Sequence, residues 1–179
     1  MKITPSIFSK FKKDKGYTLL ETVVYVGVLS VAILAIFAIL FSITRSFTEA
    51  RIYNEVEISG STAMERMVRE IRTAASVDEG NSILDIDPGQ LALNTTDEAG
   101  TAKTIQFYFD DTTNTINLDD NGTDKGSLTG SGVEITNLVF RRSDTPKSSI
   151  IKIEMTVRSK RKTTLSAKFY DSAVMRGGY

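Results

Sequence analysis

The chain contains neither cysteine nor histidine. Without thiols there is no disulfide framework and no thiol nucleophile, and without imidazole there is no histidine-dependent triad and no histidine-bearing zinc site. The missing cysteines do not assign a compartment, since a domain in an oxidising space can fold without bridges. Proline is scarce, with three in 179 residues and none between positions 16 and 44. Nothing therefore predicts a proline kink or local melting in that stretch. Charge is missing there too, because residues 22–44 carry no charged side chain. No phosphate loop, nucleophile elbow or spaced carboxylate pair stands apart from ordinary surface, and no enzyme activity is expected.

What fills the uncharged stretch is apolar on every face: Val23, Val24, Val26, Leu29, Ile33, Phe37, Leu40 and their neighbours. At about 1.5 Å per residue the 23 positions from 22 to 44 span about 35 Å, enough for the hydrocarbon core of a bilayer. A helix apolar all round has few uses in a small soluble domain, so the run is expected to cross a membrane once. The competing reading is a secretory signal peptide. Against it, the run is too long, has no small-residue cleavage site at its end, and has its glycine ahead of it.

Glu21 is the anomaly at the head of this run. Carried to the bilayer centre, an ionisable group costs up to roughly 3 kcal/mol, so it needs either a partner or a place in the headgroup zone. Hydropathy does not choose between the two. The residues around it are Lys15-Gly16-Tyr17-Thr18-Leu19-Leu20-Glu21, followed by the long apolar run.

This sequence resembles the N-terminal signature of type IV pilins and pseudopilins, over roughly the first fifth of the chain. The resemblance implies a membrane peptidase that cuts after Gly16 and methylates the new N-terminus on Tyr17. Glu21 becomes the fifth residue of the mature chain and an assembly residue, set against the N-terminal amine of a neighbouring subunit. The implied partners are prepilin peptidase, other pilins or pseudopilins and an inner-membrane assembly platform. Tyr17 departs from the more usual phenylalanine, and slower or equal processing is expected. The run Ile135-Thr136-Asn137-Leu138-Val139-Phe140, the Met64-Glu65-Arg66-Met67 segment and the lack of cysteine look most like minor pseudopilins of the J type from type II secretion, or related minor pilins.

Charge distribution fits that orientation. Formal charge is balanced at 22 basic and 22 acidic residues, yet the first 16 positions hold five lysines and one aspartate. That leaves 17 basic and 21 acidic residues beyond them. By the positive-inside rule the leader is cytoplasmic and the C-terminal part extracytoplasmic, on the periplasmic side of a bacterial inner membrane.

The expected organisation is α+β, with a long N-terminal helix packed on a C-terminal antiparallel β-sheet, as the pilin resemblance also implies. Residues 1–16 form the cleaved leader, 17–44 the transmembrane and filament-core helix, and 45–78 its amphipathic half. A β-rich head follows over 79–170, with a loose tail at 171–179. In the amphipathic half Tyr53, Val56, Ala63, Met64, Met67, Val68, Ile71, Ala74 and Ala75 recur at steps of three and four. Gly60 lies on that stripe, where a missing side chain lets a strand come close, unless the helix breaks around Ser59-Gly60-Ser61. Strand-like runs follow at 83–86, 90–93, 104–110, 115–118, 133–141 and around Ile151–Val157 and Leu165–Phe169, with a parity slip near Asn137 that suggests a bulge.

Two further clusters invite ligands. Asp119, Asn121 and Asp124 are closely spaced oxygen donors and so candidates for calcium, but an EF-hand would need a downstream glutamate, and an Asn-Gly turn accounts for the same residues. No other cofactor is implied. Ser159-Lys160-Arg161-Lys162 is basic, and DNA-contacting minor pilins are known. Four polar residues between two alternating runs more commonly make an exposed turn, so nucleic acid is not the expected partner. Three readings emerge: a filament subunit, an adhesive or DNA-contacting minor pilin, and a bitopic membrane protein with an outer sensor or enzyme domain.

Overall fold

A computed structural model of the chain describes residues 16–97, 99–145 and 148–175. The leader segment 1–15 lies outside them, as do residues 176–179. The chain forms two compact units, Met1–Ser46 and Phe47–Tyr179. Helix α1 (Leu19–Thr73) is the described secondary structure of the first and the opening element of the second. The layout is α+β, as the change of period near residue 77 implies.

In the second unit the helix buries Ile52, Val56, Gly60, Ala63, Met64, Met67, Val68 and Ile71. These positions step by three and four along one face, while glutamates and arginines are the commonest residues on the others. Tyr53, expected on this stripe, is 46 % exposed, and Ile52 is buried instead. Ile52 lies four residues before Val56 and so in line with it; Tyr53 lies off the stripe. Ala75 is exposed as well.

The helix ends at Thr73, earlier than the boundary at residue 78. No sequence breaker stands there; the stop is tertiary. The Ala75 N–H donates to the Asn94 carbonyl at 2.8 Å, and β1 (Ser76–Val77) then pairs with β2 (Leu91–Thr96). The Thr73 hydroxyl donates to the carbonyls of Arg69 and Glu70, satisfying acceptors of the last turn.

An antiparallel meander follows, with β3 (Ala102–Asp110), β4 (Thr115–Asp120) and β5 (Thr123–Ser127) beside β1 and β2 in chain order. A second sheet holds β6 (Val133–Thr145), β7 (Ser148–Ser159) and β8 (Ser166–Val174), also in chain order. Two sheets thus stand where one was expected. The reason lies at the edge of β6. Residues 85–89 bond to it through Asp85 N–H to Phe140 O at 2.8 Å, Gly89 N–H to Leu138 O at 2.7 Å and Leu138 N–H to the Asp87 carboxylate at 2.7 Å. Ile135 N–H donates to Asn114 O further along. These partners use ladder groups that another strand would need. They also explain why 83–86 is not a strand: only Ile83 bridges to Gln90, and Asp85 adopts a left-handed φ of 64° as the chain turns toward β6.

The parity slip is a β-bulge. Ile135 pairs with Val157 and Asn137 with Thr156, leaving Thr136 unpaired. Val133 and Ile135 point to the core before it, Leu138 and Phe140 after it, and all four are buried. In β3, Ile105 and Phe107 are buried and Phe109 packs against the same core, as the alternation requires. Residues 171–174, expected in a loose tail, continue β8, where Ala173 is buried opposite Ile151.

At Gly60 the helix is unbroken, and the expected close approach is made by a ring from β8. A Cβ on Gly60 would stand 2.8 Å from Phe169 Cδ2 and nearer still to Cε2 and Cζ. The ring occupies the space that any other residue would fill.

Candidate functional site at the start of the apolar helix

Gly16 and Tyr17 are exposed and non-helical, and α1 begins two residues after Tyr17. Thr18 caps it. Its hydroxyl accepts the Glu21 N–H at 3.2 Å, and its carbonyl accepts the Thr22 N–H at 3.1 Å. Thr18 and Glu21 have the spacing of a capping box. The glutamate side chain turns the other way, however: its Oε1 accepts the Tyr25 hydroxyl at 2.9 Å. The Tyr17 and Tyr25 rings meet edge to face, with centroids 6.1 Å apart and planes at 80°. Tyr17, just ahead of the helix, thus forms one strip with Glu21 and Tyr25 on its first turns.

Beyond the strip, the apolar segment is exposed among the described residues. The helix is long and apolar enough to cross a membrane, and none of its most apolar window is buried. Leu29 is 59 % and Phe41 67 % exposed. An exposed apolar surface of this extent marks a face for lipid or for other protein. Several hydroxyls along the segment bond inside the helix: Ser30 donates to Val26 O at 2.7 Å, Thr44 to Leu40 O at 2.9 Å and Ser46 to Ser42 O at 3.1 Å. Such internal bonds let polar side chains sit in hydrocarbon.

Among the described residues, nothing crowds the glycine at 16. A Cβ there would meet nothing within 4 Å. By contrast Glu21 is the single charged residue between Gly16 and Thr44, half-exposed, and its Oε2 has no partner among the described residues. The Tyr25 contact was readable from its i+4 spacing to Glu21 but is easily lost in an apolar run.

The other candidate residues lie in the second unit. Asn121 and Gly122, at φ 55° and 80°, make the two-residue turn joining β4 to β5, with Asp120 opposite Thr123 and Asp119 opposite Asp124. Asp119 Oδ1 accepts the Gly122 N–H at 2.6 Å and Asp124 Oδ1 the Gly126 N–H at 2.7 Å. Both carboxylates are turned to backbone donors, and no group of three acidic side chains placed to hold a metal occurs among the described residues. The basic cluster lies between β7 and β8. Lys162 is paired with Glu49 and Arg161 is 4.0 Å from Glu55, both on α1, while Lys160 Nζ donates to Thr113 O at 3.1 Å. Ser159 Oγ accepts the N–H groups of Arg161 and Lys162, closing the turn.

An open groove of about 710 Å³ runs beside the helix, lined by Glu65, Arg66, Arg69, Asp120 and Lys125 among others. Its charges are partly matched: Arg66 pairs with Glu70 at 2.9 Å and Asp120 with Lys103 at 3.1 Å. Compared with protein-family models, curated proteins and solved structures, the chain matches none.

Proposed function

We propose that this chain is a structural subunit of a membrane-assembled filament of the type IV pilin or pseudopilin kind. In this reading a peptidase hydrolyses the Gly16–Tyr17 bond, leaving an amine on Tyr17 that is then methylated. The apolar helix anchors the subunit in the inner membrane before assembly and joins the filament core afterwards. The five leader lysines hold the N-terminal end in the cytoplasm and send the head outward.

The observation that carries the reading is Glu21, a lone acid at the head of an uncovered apolar helix, with one carboxylate oxygen unpartnered among the described residues. A carboxylate and an ammonium that are each costly in an apolar bundle neutralise each other when subunits meet in register. Gly16 adds support in that it is exposed, as a bond offered to a peptidase must be. Within this class, the sequence likeness favours a minor subunit of the J type.

The DNA-contacting variant draws less support, because the basic turn engages Glu49, Glu55 and Thr113 of its own chain. Replacing Glu21 tests the filament reading. Glu21→Ala and Glu21→Val are expected to remain in the membrane and to be lost from the filament or tip complex; incorporation at wild-type level would refute it.

A further inference from the structure

The strip Tyr17–Glu21–Tyr25 holds a contact that the assembly role of Glu21 does not by itself require. Tyr25 lies inside the apolar run, one turn beyond Glu21. Helical side chains lean toward the N-terminus, so its hydroxyl reaches back over the preceding turn and meets Glu21 Oε1 at 2.9 Å. A phenol O–H in hydrocarbon needs an acceptor, and a carboxylate there needs a donor. Each supplies what the other lacks. The Tyr17 ring, 6.1 Å from that of Tyr25 and nearly perpendicular to it, supports the phenol along the same face.

We infer that Tyr25 is a positioning residue for Glu21: its hydroxyl holds Oε1, fixes the carboxylate in one orientation, and leaves Oε2 for the amine of an adjoining copy or sister subunit. This rests on the filament reading of Glu21 and adds a second residue to it. A carboxylate has lone pairs enough for both donors at once, so the tyrosine need not leave when the amine arrives. Before assembly the same bond satisfies an acid that would otherwise face lipid alone. Holding the acid in advance reduces the freedom lost when subunits dock.

The test uses the full chain in two settings. In cells that assemble it, Tyr25→Phe keeps the ring and its contact with Tyr17 but removes the hydroxyl. Filament incorporation, or cross-linking through single cysteines introduced into this cysteine-free chain, is expected to fall about tenfold, equivalent to about 1.4 kcal/mol. Membrane level and N-terminal processing stay at wild-type values. If Tyr25→Phe assembles normally while Tyr25→Ala does not, the ring matters and the hydroxyl does not, and the proposal is overturned. In detergent micelles no assembly is needed. There the ¹³Cζ signal of Tyr25 is expected to move on Glu21→Ala, while those of Tyr53 and Tyr108 stay put. An unmoved Tyr25 signal overturns the pairing, whatever the filament does. Normal assembly of Glu21→Ala with a moved signal instead refutes the filament reading, and the positioning role with it, while leaving the hydrogen bond intact.

Discussion

Replacing Gly60 by alanine adds one methyl group to a helix interior, where alanine is ordinarily better than glycine by about 1 kcal/mol. Here the methyl would enter the Phe169 ring, 2.8 Å from Cδ2 and closer to two further ring carbons. The ring cannot retreat freely. Phe169, in β8, stands opposite the buried Met155 of β7 and packs against the core. Overpacking of this kind costs about 1 to 3 kcal/mol, and contact on three ring atoms places the cost near the upper end. Set against the propensity gain, Gly60→Ala should lose about 2 kcal/mol. The sign reverses once the ring is gone: in a Phe169→Ala background the same change should gain about 1 kcal/mol. The two sites are then coupled by about 3 kcal/mol, the top of the usual range for residues in contact. Urea unfolding of the full chain in detergent, followed by far-ultraviolet circular dichroism, reads this directly. With a slope of about 2 kcal/mol/M, the single variant lowers the midpoint by about 1 M. A midpoint raised equally in both backgrounds would show that helix propensity alone operates and that the ring does not fill the space over Gly60.

Three further outcomes follow from the same geometry. Deleting Thr136 removes the unpaired residue of the bulge and keeps Ile135, Leu138 and Phe140 on the core side, so the chain should still fold cooperatively, whereas deleting Val139 puts the following residues out of phase and should abolish the transition. The Ser149 hydroxyl, and then the Arg142 guanidinium, hold the Asp144 carboxyl below the ordinary carboxylate range. Because its folded value lies below the unfolded one, this contribution is present at neutral pH and is lost as pH falls below that range through the folded value. Ser149→Ala should move the Asp144 titration, followed by carboxyl ¹³C NMR, upward, and an unmoved curve would contradict the assignment. Thr18→Ala removes the cap from α1 and should cost the first turn about 1 kcal/mol, seen as faster amide exchange at Glu21 in micelles; unchanged exchange would mean that the Thr18 hydroxyl does not hold that N–H.

Local patterns carried much of this structure. The stripe from Val56 to Ile71, the alternation of Ile105 and Phe107, the Asn121-Gly122 turn and the slip near Asn137 each follow from side-chain period or turn chemistry within a few residues. What the sequence hid depends on distant partners. The helix stops at Thr73 because Asn94 takes up the Ala75 N–H, and no residue type near 73 announces that. The division into two sheets comes from residues 85–89 occupying the β6 edge across some fifty positions of chain. Residues 171–174 look aperiodic, yet register with β7 draws them into β8. At the candidate site, Gly16, Tyr17 and Glu21 stood out by pattern. Tyr25 did not, since a tyrosine among valines reads as apolar filling until its hydroxyl is seen on the acid.

The central claim concerns a covalent event, cleavage that turns Tyr17 into the N-terminus whose amine meets Glu21. Intact-mass and N-terminal peptide analysis of the protein isolated from its native membrane tests it most directly. The account predicts a chain that begins at a methylated Tyr17 and lacks residues 1–16. A mature protein that still carries the lysine-rich segment through Gly16 would contradict it.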